Sequence, residues 1–445
     1  MTPEMAGATA PTEDERAFAL GHNITEWAMP AGHDLVARTA PFHEWANARR
    51  RQNVLSMFRS LDGEPGVHAT SRFDDGRTLQ GMNFGSQDYL GLSTDERVRE
   101  AAIRAIRDFG VHSASSGMLQ GGTRPSLELE AELGDFVSAE HVTLFPTGWG
   151  VGFGTITALV RPTDHIIIDR LAHPCLRHGA HAATQNIHRH RHLDVEEATA
   201  HIARVRTGDA RSGILVITEG TFSMDADAPR LRPLVAACRE HEATLLVDVA
   251  NDLGQLGPGG TGQLGLQEVL GEVDLVMGAF SKAFCSCGGF IASRAASVKD
   301  YVRVFGGTFT FSNALSAAQA AVALEAVRIT RSADGDARRA ELQRAASTLR
   351  NAFAARGIEC YGDPCAIIAV PVGDETVTRL AGALVAEHGV LANLVEFPEV
   401  SLGQARFRMQ LMPGHSDEML ERAAGIVADA IDEARELTVR EGVSA

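Results

Sequence analysis

The chain has 445 residues, 44% of them hydrophobic and 22% charged, with a formal net charge of −16. That length is enough for roughly two or three domains around a large core. The acidic balance argues against a nucleic-acid-binding surface as the main role, and no apolar run approaches the roughly 18 residues of a membrane span.

The first residues, MTPEMAGATAPTEDE, have neither a basic nor an apolar block, so no secretion signal is expected. Residues 1–15 are small, acidic and proline-containing, and read as a disordered tail. Residues 16–93 read as an N-terminal arm. It has amphipathic helical patches up to 58, the clearest being FHEWANARRRQNVLSMF, and NFGSQDYLGLS forms an extended and turn segment. DERVREAAIRAIRDFG repeats its apolar positions at three and four and stops at Gly110, which predicts a helix. SASSGMLQGGT is a small-residue loop, and PSLELEAELGDFV is helical with Pro125 near its start.

From there strands and helices alternate. VTLF, HIIID, GILVITEG, TLLVDVA, DLVMGAF and GGFIAS are strand candidates, with amphipathic helices between the earlier ones. Near-continuous apolar strands between such helices predict a mostly parallel sheet covered on both faces, in a large domain over 94–325. NALSAAQAAVALEAVRIT begins a long helix leaving that domain. Residues 326–445 then read as a smaller α+β domain with strands AIIAVPV and ARFRMQLM.

Cys175, Cys238, Cys285, Cys287, Cys360 and Cys365 have no zinc-like spacing, which favours reduced thiols and a cytoplasmic protein. Cys285 and Cys287 form a C-x-C pair, read as packing rather than redox chemistry. His188, His190 and His192 alternate as on one strand face. A metal site and a partly exposed strand both fit, and the strand without a metal is the favoured reading.

Lys282 lies between DLVMGAF and Gly288-Gly289. An ammonium beside a buried sheet edge is costly, and its desolvation lowers the pKa, as a Schiff-base lysine needs; taken alone, it fits a snorkelling strand-end lysine equally well. In open α/β sheets ligands bind at the carboxyl ends of the strands. His173, Ser223 and Asp248 fall at such ends with Lys282. Thr147-Gly148-Trp149-Gly150 closes a strand and opens a helix whose N–H groups suit a phosphate. Pyridoxal 5′-phosphate needs this set: a lysine, a carboxylate for the pyridinium nitrogen, a flat side chain over the ring and a phosphate cradle. Singly, Asp248 reads as a turn aspartate, His173 as a helix-start histidine and Ser223 as a turn residue. The ordered coincidence carries the argument.

TEGTFSMDAD, LVDVANDLG, AFSKAFCSCGG and TFTFSNALS, supported by NFGSQDYLGLS, FPTGWG, DRLAHPCLRHG and ARFRMQL, together resemble the α-oxoamine synthases over roughly residues 45–435. The resemblance implies the fold-type I PLP-dependent transferase fold, an α/β architecture with a smaller α+β C-terminal domain, and a homodimer. It implies Lys282 as Schiff-base lysine and acid/base, Asp248 on the pyridine nitrogen, His173 stacked on the ring and Ser223 near the 3-hydroxyl. Thr147, Gly148, Trp149 and Ser281 would meet the phosphate, with Ser312 and Asn313 reaching from a second subunit. Arg408 would hold the substrate carboxylate, with Gln87 nearby. Asn251 stands where the family has histidine, Ala279 where it has threonine and Gly117 where many members have arginine. The implied reaction is condensation of an α-amino acid with an acyl thioester, carried by coenzyme A or an acyl carrier protein, usually with loss of CO2. Two alternatives remain open on sequence. One is another carbanion reaction on the same scaffold (aldol or retro-aldol, elimination, Mannich-type cyclisation); the other is a non-catalytic partner of an active homologue.

Overall fold

The computed structural model describes residues 13–441. Residues 1–12, most of the expected tail, lie outside the described residues. Residues 13–15 do not belong to a tail: Glu13, Asp14 and Glu15 form the first turn of a helix, Glu13–Gly21, where acidic side chains oppose the helix dipole. A second helix, Ala40–Arg51, buries Trp45 and Arg49, with the guanidinium 4.4 Å over the indole. The helical run expected to continue to 58 stops at Arg51, because Asn53 (φ 62°) and then Phe58 (φ 61°) take the left-handed conformation.

Three strands follow that the sequence did not announce: β1 (Arg59–Leu61), β2 (His68–Phe73) and β3 (Thr78–Asn83), paired antiparallel. Their partly exposed, polar positions hide the alternation on which strand recognition depends.

The central sheet has seven strands: β4 (His141–Phe145), β5 (His165–Asp169), β6 (Ile187–His190), β7 (Ile214–Glu219), β8 (Thr244–Asp248), β9 (Leu275–Ala279) and β10 (Gly289–Ser293). Their order is β4-β10-β9-β8-β7-β5-β6. β5 to β9 run parallel, and β10 is antiparallel to both its neighbours. All six residues of β7 and all five of β9 are buried, as strands covered by helices on both faces must be. The β7–β8 ladder sets Glu219 beside Asp248, so the two strands deliver carboxylates to the same end of the sheet.

After the helices Ala317–Thr330 and Ala333–Ala354, β11 (Ile367–Gly373) pairs antiparallel with β14 (Ala405–Gln410), which also pairs with β13 (Asn393–Val395). The short β12 (Val390–Leu391) pairs in parallel with β3 and so ties the N-terminal segment to this C-terminal unit. Gly81 and Gly389 allow that contact: a Cβ on Gly81 would lie 2.3 Å from the Gly389 carbonyl oxygen. Arg49 from the arm and Arg379 share Glu396, a second tie. Among the described residues no helix is long and apolar enough to cross a membrane.

Candidate active site

Lys282 sits in the connection between β9 and β10. Phe280 N–H donates to the Gly288 carbonyl, Ser286 N–H to the Phe280 carbonyl and Cys285 N–H to the Lys282 carbonyl, at 3.0, 3.0 and 3.1 Å. The turn needs positive φ at Gly288 (99°) and, unusually, at Cys285 (42°). The lysine is thereby held on a rigid loop. The sequence contains only one other lysine, Lys299, which is spent on Glu130 at 2.6 Å. Burial lowers the Lys282 pKa, against the opposing pull of Asp248 and Glu219.

Asp248 ends β8, is 4% exposed and accepts from Ala250 N–H at 2.9 Å. Burial raises its pKa, with Lys282 and His173 pulling the other way. Glu219, beside it on β7, was not singled out from sequence. It is buried, burial raises its pKa well above the usual carboxylate range, and it accepts from His173 N–H at 2.6 Å. The only signal for it was its place at a strand end in register with Asp248.

His173 caps the helix Pro174–Ala183. Its Nδ1 accepts from Cys175 N–H at 3.3 Å and lies 3.0 Å from the Cys175 sulfur. With Nδ1 accepting, the neutral ring carries its proton on Nε2. Gly152 leaves the room for that sulfur, since a Cβ there would lie 2.8 Å from it.

Two cavities are lined by these groups. One, of about 670 Å³, is lined by Lys282, Gln87, Ser281, Arg408 and Gln410 among others. The other, of about 280 Å³, is lined by His173, Ser223, Glu219 and Met224. Met224 of the second touches Arg408 of the first, its sulfur 3.6 Å from an Arg408 nitrogen. Asn251 donates its amide to the Thr221 carbonyl at 3.0 Å and leaves Oδ1 buried without a partner among the described residues.

Thr147 caps the helix Gly148–Leu159 by accepting from Gly150 N–H at 3.0 Å. A Cβ on Gly148 would come within 2.7 Å of the Ala279 Cβ, so helix start and strand end meet through their two smallest residues. Trp149 is 44% exposed and stacks on Phe153 at 4.9 Å. Ser312 and Asn313 line neither cavity of this chain. Asn313 bonds His112 at 3.1 Å, beside Phe311, which is 90% exposed. Gly117 faces Phe309, and a Cβ there would lie 2.5 Å from the ring, so a larger side chain would have to displace it.

The three alternating histidines separate. His188 stacks on His165 at 5.3 Å, His190 bonds the Arg191 carbonyl, and His192 lies beyond the end of β6 rather than on a strand face. His192 bridges Asp169 and Asp227, each at 3.0 Å. His192, Asp225 and Asp227 converge closely enough to hold a metal ion, but Arg406 already pairs with Asp225.

Residues 80–427 match the aminotransferase class I and II family. An 8-amino-7-oxononanoate synthase of Geobacter metallireducens is 33% identical over 387 residues, covering 87% of this chain and 97% of that protein. A serine palmitoyltransferase of Bacteroides ovatus is 32% identical over 372 residues, covering 84% and 92%. The structure of Sphingomonas wittichii serine palmitoyltransferase superposes with a TM-score of 0.82 at 27% identity, covering 93% of this chain and all of that one. The chain belongs to the aminotransferase class I and II family and, within it, to the α-oxoamine synthases, with the fold-type I transferase architecture.

Proposed function

We propose that the protein condenses an α-amino acid with an acyl thioester, releasing the thiol and CO2 and leaving an α-amino ketone, with pyridoxal 5′-phosphate as cofactor. One observation carries this reading: a lysine with a lowered pKa, fixed in the β9–β10 turn, is electrostatically coupled to the buried Asp248 and shares a cavity with Arg408.

The residues present fit the cofactor. Lys282 would hold it through the amine, and Asp248 would pair with the pyridine nitrogen. Asn251 Oδ1 is a buried acceptor still lacking a donor among the described residues. Ser223 and His173 would flank the ring. The start of the helix Gly148–Leu159, with Thr147, Gly148, Trp149 and Ser281, would meet the phosphate. When bound, the cofactor supplies an electron sink for negative charge at the substrate α-carbon.

The remaining chemistry belongs to the side chains. Arg408, whose Nε has no partner among the described residues, binds the amino-acid carboxylate as a planar fork. Lys282, which burial favours in the neutral form, takes the α-proton and later returns one. His173 presents an Nε2–H that can stabilise the oxygen of the attacked thioester carbonyl. Gln87 lines the same cavity as Lys282 and contacts the substrate there.

The protein acts as a homodimer in the cytoplasm, on our reading. Supporting the dimer are the exposed apolar residues Val111, Leu119, Phe305 and Phe311, carried on the segments flanking Ser312 and Asn313. Supporting the location are six cysteines, all free thiols. The acyl donor is a thioester of coenzyme A or of a carrier protein. Residues 94–325 serve as the cofactor-binding domain and 326–445 as the smaller one, with 16–93 as the arm. The test is to incubate the cofactor-loaded enzyme with amino acids and acyl thioesters and to measure free thiol and CO2. Release of both, dependent on the amino acid, is expected; product formed without any thioester would overturn the reading.

A further inference from the structure

Strand β14 carries Arg406, Arg408 and Gln410 at alternate positions, hence on one face. The protein satisfies them very unequally. Arg406 is engaged by the Asp225 carboxylate, by the Met224 and Gln404 carbonyls, and by the Tyr361 ring beneath it. Arg408 reaches only the Met224 sulfur, and its Nε has no partner among the described residues. Gln410 is 0% exposed, and neither its Nε2 nor its Oε1 has a partner among the described residues. The hydroxyl of Tyr89, buried and within the field of Arg408, likewise has no partner among the described residues. The two unsatisfied members of the row line the cavity that holds Lys282 and Gln87, and the satisfied one does not.

Buried polar atoms without partners are rare, because each forfeits its hydrogen bonds to water. An amide with both ends free, on a residue that lines the cavity of Lys282, can take its partner from the substrate. A primary amide offers donors on one side and an acceptor on the other, and a hydroxyl complements both, because it donates and accepts through one atom. Gln410 stands two residues along an extended strand from Arg408, about 7 Å of backbone. Gln410 is therefore within reach of the side chain of an amino acid whose carboxylate sits on Arg408.

We propose that Gln410 is a specificity-determining residue that hydrogen-bonds a hydroxyl on the amino-acid side chain, so that the site selects a β-hydroxy α-amino acid over its aliphatic counterpart. This rests on the condensation reading and on Arg408 as the carboxylate anchor. A pocket that needs a hydroxyl to complete its hydrogen bonds rejects the analogue lacking it more strongly than an apolar pocket rejects a misfit.

The test measures dissociation constants of L-serine and L-alanine from the cofactor absorbance of the loaded enzyme. The wild type should bind serine about ten-fold more tightly, as one net hydrogen bond implies. In Gln410→Leu the ratio should fall to about one, through weaker serine binding. Gln410→Met, which keeps the length of the side chain, makes the same comparison should the leucine variant fold poorly. A wild type indifferent to the hydroxyl, or variants that keep its preference, would overturn the proposal. So would variants that lose discrimination between 3-hydroxyacyl and plain acyl thioesters while keeping the serine preference, since the hydroxyl would then belong to the acyl donor. A flat ratio in an enzyme that still releases thiol removes the Gln410 assignment alone. An enzyme that releases no thiol with any amino acid removes the condensation reading together with it.

Discussion

Replacing His192 with asparagine should loosen the two loops that carry His173 and Ser223. The imidazole bridges Asp169, at the end of β5, and Asp227, shortly after β7, and is 13% exposed. Burial alone would lower its pKa, but the hydrogen bonds to Asp169 and Asp227 outweigh burial and push it up to about 10 from an ordinary 6.5. At ~1.4 kcal/mol per decade that rise corresponds to roughly 5 kcal/mol favouring the charged ring, and solvent screening reduces this to about 2–3 kcal/mol. The folded-state pKa is raised, so the stabilisation is complete below the unfolded value near 6.5 and fades as pH climbs through about 10. Thermal midpoints of wild type and His192→Asn, measured from pH 6 to pH 10, should therefore lie several degrees apart at pH 6 and converge by pH 10, apart from a constant offset for the imidazole hydrogen bonds lost by Asp169 and Asp227. A gap that stays constant or widens with pH would refute the charged-bridge argument.

Asp248→Asn should leave the fold intact and lower kcat by about a hundred-fold or more, because an amide cannot supply the buried charge; steady-state kinetics checks this. Arg408→Lys keeps the charge but loses the fork, and should raise the KM for the amino acid about ten-fold while that for the thioester changes little. Gly117→Ala should destabilise by about 1–3 kcal/mol, since its Cβ would lie 2.5 Å from the Phe309 ring. Adding Phe309→Ala should recover much of that loss, as a double-mutant cycle of thermal midpoints would show.

The sheet strands β4, β5, β7, β8, β9 and β10 were legible because both faces are buried and their sequences are unbroken apolar runs. β1, β2 and β3 were not, because half-exposed strands such as HATSRF and TLQGMN carry little apolar pattern. β12 and β13 are two and three residues long, too short for any period to register. Lys282, Asp248, His173 and Ser223 could be proposed from sequence because each lies at, or within a few residues after, the end of an apolar strand. Glu219 was passed over because a carboxylate inside an apolar strand becomes notable only once the ladder places it beside Asp248. Gln410 escaped for another reason: a glutamine in a strand is unremarkable until every neighbour has been seen to leave its amide unpaired. The departures at Ala279 and Gly117 acquire physical causes in the close approaches of Gly148 and Phe309. No physical account of Cys287 emerges from the fold.

The central claim is that Lys282 anchors the cofactor and moves the proton. With only two lysines in the chain, it can be tested without ambiguity. Borohydride reduction of the loaded enzyme, followed by peptide mass mapping, should place the cofactor's mass on the peptide containing Lys282. Lys282→Ala should carry no such mass and release no thiol. Modification at Lys299, or thiol release by Lys282→Ala at the wild-type rate, would contradict the account.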